Sequence, residues 1–248
     1  MDAARDKLIV ALDVDSAHRA LDLFDALRET VGMFKIGSQL FTAAGPEMVR
    51  QIIARGGRVF LDLKFHDIPN TVAAAGIEAT RLGVSIFNVH ASGGAEMMTR
   101  TAEAVAEIAT REALARPKVI AVTLLTSLDQ TSLEQIGIND EPRSVVTRLA
   151  RSAADCGLDG VVASPHEIDF IRQTVSSPEF LIVTPGIRSG NEATDDQRRT
   201  LTAAEAIRAG ADYLVVGRPI LNADDPVDAA KRISAEIEDA LLLLNQRS

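Results

Sequence analysis

The segment Asp62–Asp67 holds the residues whose types and spacing point most directly to chemistry. Asp62 and Asp67 flank Lys64 within a run of six residues. Side chains two residues apart on a strand point to the same face, so Asp62 and Lys64 are expected to lie side by side. Carboxylates keep a neighbouring ammonium protonated and orient it, and such a lysine can deliver a proton to a carbanion. The alternative is a structural ion-pair network at a strand end.

These residues belong to a regular alternation of short apolar runs and segments with helical periodicity. The predicted strands are Leu8–Asp13, Met33–Ile36, Val59–Lys64, Ser85–His90, Lys118–Leu124, Gly160–Ala163, Phe180–Thr184 and Tyr213–Gly217. The predicted helices are Ser16–Thr30, Gln39–Arg55, Asn70–Leu82, Glu96–Ala115, Pro142–Cys156, Pro165–Val175, Thr202–Ala209 and Pro226–Leu244. The steps between strands average about 29 residues, which is the size of a βα unit.

This alternation predicts an α/β fold with parallel strands and right-handed crossovers. Eight units without a linker favour a closed (β/α)8 TIM barrel, formed as a single domain over residues 1–248, over an open doubly wound sheet. Active sites of such barrels lie at the carboxyl ends of the strands, where Asp13, Lys35 and Lys64 are expected to meet. Ionised side chains among aliphatic residues must be paired or functional, so we favour function. The long loops Thr126–Asn139 and Ser189–Thr200 are expected on the same face.

Two glycine-bearing turns follow the last two strands, TPGIRSG after the seventh and VVGRPI after the eighth. Loops at these positions commonly form the phosphate site of the barrel. Gly217 allows a close approach of the backbone, and Arg218 can bind a phosphate with two parallel hydrogen bonds. The alternative for such a Gly-Arg pair is a turn followed by a solvated base.

Composition excludes several other functions. The formal charge of −9 and the pI near 5.0 argue against a nucleic-acid polymer as partner. The amino-terminal apolar run is too short for a membrane span or a signal segment, so a cytoplasmic location is expected. Cys156 is the only cysteine, and the four histidines lack zinc-ligand spacing. His90 is more simply explained by a hydrogen bond to neighbouring backbone than by catalysis. No GxGxxG or Walker motif indicates a nucleotide cofactor.

The run DLKFHDIPNT, residues 62–71, resembles the signature of the orotidine 5′-phosphate decarboxylase family, bacterial type. Its DxKxxD core is shared by a wider barrel suprafamily, whereas the ten-residue match is specific. The motifs ALDVD, FKIG, NVHASGG, TLLTS, TPGIR and VVGRPI follow in the family's order. The resemblance therefore covers essentially the whole chain.

The resemblance implies decarboxylation of orotidine 5′-monophosphate to UMP and CO2, without metal or organic cofactor. Lys64 would protonate C6 of a vinyl carbanion, with Asp62 and Asp67 flanking its ammonium. The neighbouring subunit of a homodimer would supply Asp67 together with Ile68 and Thr71. The implied substrate-binding residues are Asp13 and Lys35 at the ribose, Thr126 at the pyrimidine, and Pro185, Arg188, Gln197, Gly217 and Arg218 around the phosphate and its lid.

Two other functions compete with this one. A Mg²⁺-dependent sugar-phosphate decarboxylase or aldolase of the same suprafamily would carry an acidic metal ligand where Lys35 stands, and a lysine there repels Mg²⁺. A phosphosugar-binding barrel without chemistry is the second alternative. Lys64 between two aspartates argues against this alternative, because buried charges without a catalytic role lower the stability of the fold.

Overall fold

In the computed structural model, which describes residues 2–188 and 201–246, eight parallel strands close into a barrel. Each strand pairs with the next one in sequence, and the last pairs with the first. The strands are β1 Leu8–Ala11, β2 Met33–Gly37, β3 Val59–Phe65, β4 Ile86–His90, β5 Lys118–Val122, β6 Gly160–Val162, β7 Leu181–Pro185 and β8 Tyr213–Val216. The predicted (β/α)8 barrel is confirmed.

The helices lie between the strands and cover the outside of the barrel. They are α1 Asp2–Lys7, α2 Ala17–Leu27, α3 Ser38–Ala54, α4 Pro69–Arg81, α5 Ala95–Arg111, α6 Gln130–Gln135, α7 Pro142–Asp155, α8 Ile168–Thr174, α9 Ala203–Ala209, α10 Arg218–Leu221 and α11 Pro226–Asn245. None of the helices in these two ranges is both long and apolar enough to span a bilayer.

The helix starts follow the chemistry of their first residues. The Ser16 hydroxyl accepts a hydrogen bond from Arg19 N at the start of α2, and the Asp225 carboxylate accepts two at the start of α11. Proline occupies the first turn of α4, α7 and α11, where a missing N–H costs nothing.

The sequence missed three short helices, α1, α6 and α10. The segment of α6 lies within the loop Thr126–Asn139, where polar residues hide any apolar periodicity; the Asp129 carboxylate caps it by accepting from Ser132 N. The predicted first and fifth strands each extend two residues too far, because β1 ends at Ala11 and β5 at Val122. Asp13 therefore lies on the loop after β1 rather than on the strand.

The inside of the barrel is filled by an apolar cluster. Its buried members are Ile9, Ala11, Met33, Phe60, Ile86, Ile120, Val183 and Val215. Inward positions recur every two residues along a strand, so the next inward residues are Lys35 on β2, Asp62 on β3 and Asn88 on β4. The barrel thus changes from apolar to polar within one layer of side chains, at the carboxyl ends of the strands.

Candidate active site

A cavity of about 710 Å³ opens at the carboxyl ends of the strands. Nine of the predicted site residues line it: Asp13, Lys35, Asp62, Lys64, Thr126, Pro185, Arg188, Gly217 and Arg218. The structure therefore brings together residues that come from six different strands or the loops that follow them. Gln197 lies outside the described residues.

Four charged side chains form an ordered chain across the base of the cavity. Lys35 Nζ lies 3.0 Å from Asp13 Oδ1 and 3.2 Å from Asp62 Oδ2. Lys64 Nζ lies 2.7 Å from Asp62 Oδ1. Carboxylate and ammonium thus alternate from Asp13 to Lys64, and we call this set the ionic chain.

Mutual attraction keeps the buried members of the ionic chain charged. Burial alone would raise the pKa of Asp62, but the ammoniums of Lys35 and Lys64 and their hydrogen bonds hold it below its ordinary value. Burial alone would lower the pKa of Lys35, but the Asp62 and Asp13 carboxylates hold it above its ordinary value. Both groups are therefore ionised at neutral pH, and their charges are fixed in place before any ligand binds.

Lys64 has an unusual backbone conformation for a non-glycine residue. Its φ is 53°, in the left-handed region, and the pairing of β3 with β4 shifts register between Leu61 and Phe65. Side chains other than glycine pay a free-energy cost in this region, so the surroundings must hold it. The amide oxygen of Asn88 accepts a hydrogen bond of 2.8 Å from Lys64 N.

Asn88 is a polar residue of the site that was not predicted from the sequence. It is fully buried, and its Nδ2 donates to Asp62 Oδ1 at 2.7 Å. One signal could have found it. Asn88 is two residues beyond the inward Ile86, on the strand next to Asp62, and a buried amide there needs polar partners.

Two glycines lie beside the ionic chain. A Cβ at Gly37 would lie 3.1 Å from Lys35 Nζ and 3.4 Å from Asp13 Oδ1. A Cβ at Gly217 would lie 3.7 Å from Asp13 Oδ2, so the turn after β8 passes directly beside the first carboxylate of the chain. The backbone that leads into Arg218 therefore lies in the same site as Asp13.

The loops after β7 and β8 carry the arginines of the cavity mouth. Gly186 has a φ of 81°, and Arg188 N donates 3.1 Å to Leu201 O, which ties the start of this loop to its end. Arg188 and Arg218 both line the cavity. Arg19, Gln39 and Asn222 also line it, although the sequence analysis did not select them.

Three predicted site residues lie outside the cavity of their own chain. Asp67, Ile68 and Thr71 are exposed on the loop after β3 and the first turn of α4. Asp67 Oδ1 accepts a hydrogen bond of 2.6 Å from Ile68 N, and Ile68 is 66% exposed. Within one chain, Asp62 is thus the carboxylate that pairs with Lys64.

The histidines near the site sit beside the cavity rather than in its lining. The rings of His66 and His90 lie 5.3 Å apart. Burial and the nearby charges of His66 and Lys64 lower the pKa of His90 below its ordinary value. In residues 2–188 and 201–246, no group of three or more His, Cys, Asp and Glu side chains is arranged to hold a metal ion.

Comparisons with known proteins agree on one family. Residues 6–233 match the sequence profile of the orotidine 5′-phosphate decarboxylase / HUMPS family. The chain is 55% identical to the orotidine 5′-phosphate decarboxylase of Geobacter sulfurreducens over 237 residues, which covers 95% of this chain and 98% of that protein. It is also 55% identical to the decarboxylase of Moorella thermoacetica over 236 residues, 95% of this chain and 93% of that protein.

The solved structures lead to the same result. The orotidine 5′-phosphate decarboxylase of Lactobacillus acidophilus superposes with a TM-score of 0.82 at 34% identity, over 93% of this chain and 98% of that one. An uncharacterized conserved protein from Geobacillus kaustophilus superposes with a TM-score of 0.81 at 36% identity, over 93% of this chain and 99% of that one. The chain belongs to the orotidine 5′-phosphate decarboxylase / HUMPS family.

Proposed function

We propose that this chain decarboxylates orotidine 5′-monophosphate to UMP and CO2. The observation that carries the proposal is the Lys64 ammonium, held 2.7 Å from a buried Asp62 carboxylate inside the cavity. An ammonium fixed in this way is a proton donor, and the family includes enzymes of this activity.

In the proposed reaction the bond between C6 and the carboxylate carbon breaks, CO2 leaves, and the electron pair stays on C6. Lys64 Nζ then gives one proton to C6. A single acid–base contact accelerates a reaction by roughly 10²–10⁴-fold. Enzymes lower activation barriers by about 8–23 kcal/mol, and forming a carbanion without a delocalising group requires a large part of that reduction. Fixed charge must supply the rest: the Lys64 ammonium stabilises the negative charge as it moves onto C6.

The remaining cavity residues would orient the nucleotide. Asp13 is half exposed and can accept hydrogen bonds from ribose hydroxyls, while Lys35 can donate one. Arg188 and Arg218 would bind the phosphate away from the reacting carbon. Binding energy gained there can lower the barrier of the chemical step as well as KM.

The alternative raised by the sequence, a Mg²⁺-dependent sugar-phosphate decarboxylase or aldolase, does not fit the surroundings of Lys35. The Lys35 ammonium lies between Asp13 and Asp62 and pairs with both carboxylates, at 3.0 and 3.2 Å. A Mg²⁺ ion would need such carboxylates free and would be repelled by the ammonium.

An ultraviolet assay of orotidylate loss, with and without chelator, tests the function. We expect turnover that chelator leaves unchanged, and abolition by Lys64→Ala because the proton donor is lost. Arg148→Ala, on α7 and outside the cavity lining, serves as the control and should keep wild-type turnover. Near-normal rates for Lys64→Ala would overturn the role of Lys64. Loss of activity on chelation, or turnover of a ketose phosphate instead of orotidylate, would overturn the function.

We also propose a homodimer in which Asp67, Ile68 and Thr71 complete the partner's site. The support is that these residues are exposed in one chain, with a large apolar side chain among them, although they lie in the motif that carries Lys64. Mixing Lys64→Ala and Asp67→Ala proteins forms one intact site in each mixed dimer. We expect recovery of about one quarter of the wild-type activity, given random exchange between two subunits. No recovery after verified subunit exchange would contradict the sharing.

A further inference from the structure

We propose that Asn88 is a positioning residue that fixes the Lys64 ammonium for proton transfer. It acts through two contacts, one to the Lys64 backbone and one to the Asp62 carboxylate. Its kinetic consequence rests on the function proposed above, but its structural consequence does not.

The position of Asn88 leaves its amide few possible partners. It is fully buried on β4, and its register partner on β5 is Ile120, which is buried and apolar. Both ends of the amide are used on β3: Oδ1 accepts from Lys64 N at 2.8 Å, and Nδ2 donates to Asp62 Oδ1 at 2.7 Å. A single side chain thus joins the two residues of the proton-donating pair.

The first contact holds a backbone conformation that lysine would otherwise leave. At the register shift between Leu61 and Phe65, the N–H of Lys64 is taken up by the Asn88 side chain. The left-handed φ of 53° directs Lys64 differently from an ordinary strand residue. Without an acceptor at this point, a buried N–H would be unsatisfied and the strand could relax towards regular pairing.

The second contact completes the fixation of Asp62. Its Oδ1 receives Lys64 Nζ and Asn88 Nδ2, and its Oδ2 faces Lys35 Nζ at 3.2 Å. Asparagine provides this hydrogen bond without adding a charge, so the carboxylate stays balanced between two ammoniums. An aspartate at position 88 would face Asp62 with an oxygen where the amide now has its N–H.

The first experiment measures kcat and KM for Asn88→Ala. A displacement of about 1 Å in a reacting group can cost on the order of 10²-fold, so we expect kcat to fall by about 10²-fold. KM should change less than about threefold, because the groups proposed to bind ribose and phosphate are untouched. Thr101→Val is the matched control, since it removes a buried hydroxyl hydrogen bond on α5, outside the barrel, and should retain wild-type kcat.

The second experiment uses Asn88→Asp, which keeps the size of the side chain. The charged or titratable groups around position 88 are Lys35 on β2, Asp62 and Lys64 on β3, and His90 on β4. At low pH the carboxylate of Asp62 and the one introduced at position 88 share one proton, which forms the hydrogen bond that the Asn88 N–H made. At high pH this proton is lost and the two carboxylates repel each other. The ratio of Asn88→Asp to wild-type kcat should therefore fall as the pH rises from about 4 to about 7, while the Asn88→Ala ratio stays flat.

A crystal structure of Asn88→Ala separates this inference from the proposed function. We expect Lys64 to leave the left-handed region and the contact between Lys64 Nζ and Asp62 Oδ1 to lengthen. If wild-type protein fails to turn over orotidylate, the proposed function falls while this structural test still stands. The inference is overturned by an unchanged Lys64 φ and contact, by Asn88→Ala kcat within threefold of wild type, or by flat pH ratios for both variants. Asn88→Asp crystals serve the same purpose if the alanine variant does not fold.

Discussion

Lys35→Met tests the energetics of the ionic chain most directly. Methionine keeps the length and apolar stem of the side chain but removes the ammonium that links Asp13 to Asp62. Lys35 and Asp62 side chains are only 10% and 12% exposed, whereas Asp13 is 52% exposed. The loss should therefore be felt mainly at Asp62.

The contacts of Asp62 set the size of the effect. Breaking a buried ion pair typically costs about 3–5 kcal/mol when the remaining charge is left uncompensated. Here Asp62 Oδ1 keeps Lys64 and Asn88, and only Oδ2 loses a charged partner, a change of about 1.5–3 kcal/mol. Asp13 adds less than about 1 kcal/mol because it is half solvated. We expect a loss of about 2–3 kcal/mol, which for a chain of this length lowers Tm by roughly 5–10 °C.

The pH dependence of this loss has a definite sign. The folded-state pKa of Asp62 is lowered, so its contribution to stability is present above the ordinary carboxyl pKa and is lost as the pH falls. Lys35→Met raises the pKa of Asp62 and removes part of that contribution. The difference in Tm between the variant and the wild type should stay constant from neutral pH down to about pH 4 and should shrink below that pH.

Thermal unfolding followed by circular dichroism measures both effects. Lys118→Met is the control and should shift Tm much less, because the Lys118 side chain is 52% exposed and its partner Asp159 keeps Arg116 as a charged partner. The double variant Lys35→Met/Asp62→Asn should recover part of the loss, since the buried carboxylate is then removed together with its ammonium, and the Lys64 side chain, whose ammonium loses its partner, is 35% exposed. A single variant within about 1 °C of wild type at neutral pH, or a difference that does not change with pH, would refute the reasoning.

Three further predictions concern other sites. Asp159 has a lowered pKa despite its burial, because an arginine, a lysine and a backbone N–H bind its carboxylate. In Asp159→Asn, Tm should therefore fall less steeply than in wild type below about pH 4. The exposed Asp155→Asn should show the same pH dependence of Tm as wild type. Arg218→Ala should lower kcat/KM for orotidylate about 10–100-fold more than for orotidine, and equal losses would contradict a phosphate contact. Gly37→Ala places a methyl group 3.1 Å from Lys35 Nζ and should lower kcat/KM about tenfold in a folded protein. Wild-type kinetics would show that the ionic chain tolerates displacement of this ammonium.

The barrel could be predicted from the sequence because its signal is distributed over the whole chain. Each strand is a short apolar run, and proline or a capping side chain marks the start of α2, α7 and α11. The exact ends could not be predicted. Val14 continues the apolar pattern of β1, yet pairing stops at Ala11, because strand ends depend on what the neighbouring strand offers.

The charged residues of the site could be predicted, whereas the hydrogen bonds and backbone conformation that position them could not. Lys35, Asp62 and Lys64 stand out because ionised residues interrupt aliphatic strands. Asn88 stands out less, since a neutral amide between Phe87 and Val89 indicates a need for polar partners but not which residues they are. The left-handed φ of Lys64 has no local signal either, because it depends on an acceptor supplied 24 residues later.

The apolar layer beneath the ionic chain limits how ligands and protons reach the site. Its buried residues, among them Phe60, Ile86 and Ile120, are at most 7% exposed, so the layer shields the charges from water below. Within the described residues, the cavity opens at the carboxyl ends of the strands, and under the proposed mechanism substrate, CO2 and nucleotide product pass through that opening. In that mechanism a Lys64 that has given up its proton regains one from solvent through the same opening. Each turnover should therefore end with the nucleotide leaving before the amine is recharged, which ties reprotonation to product release.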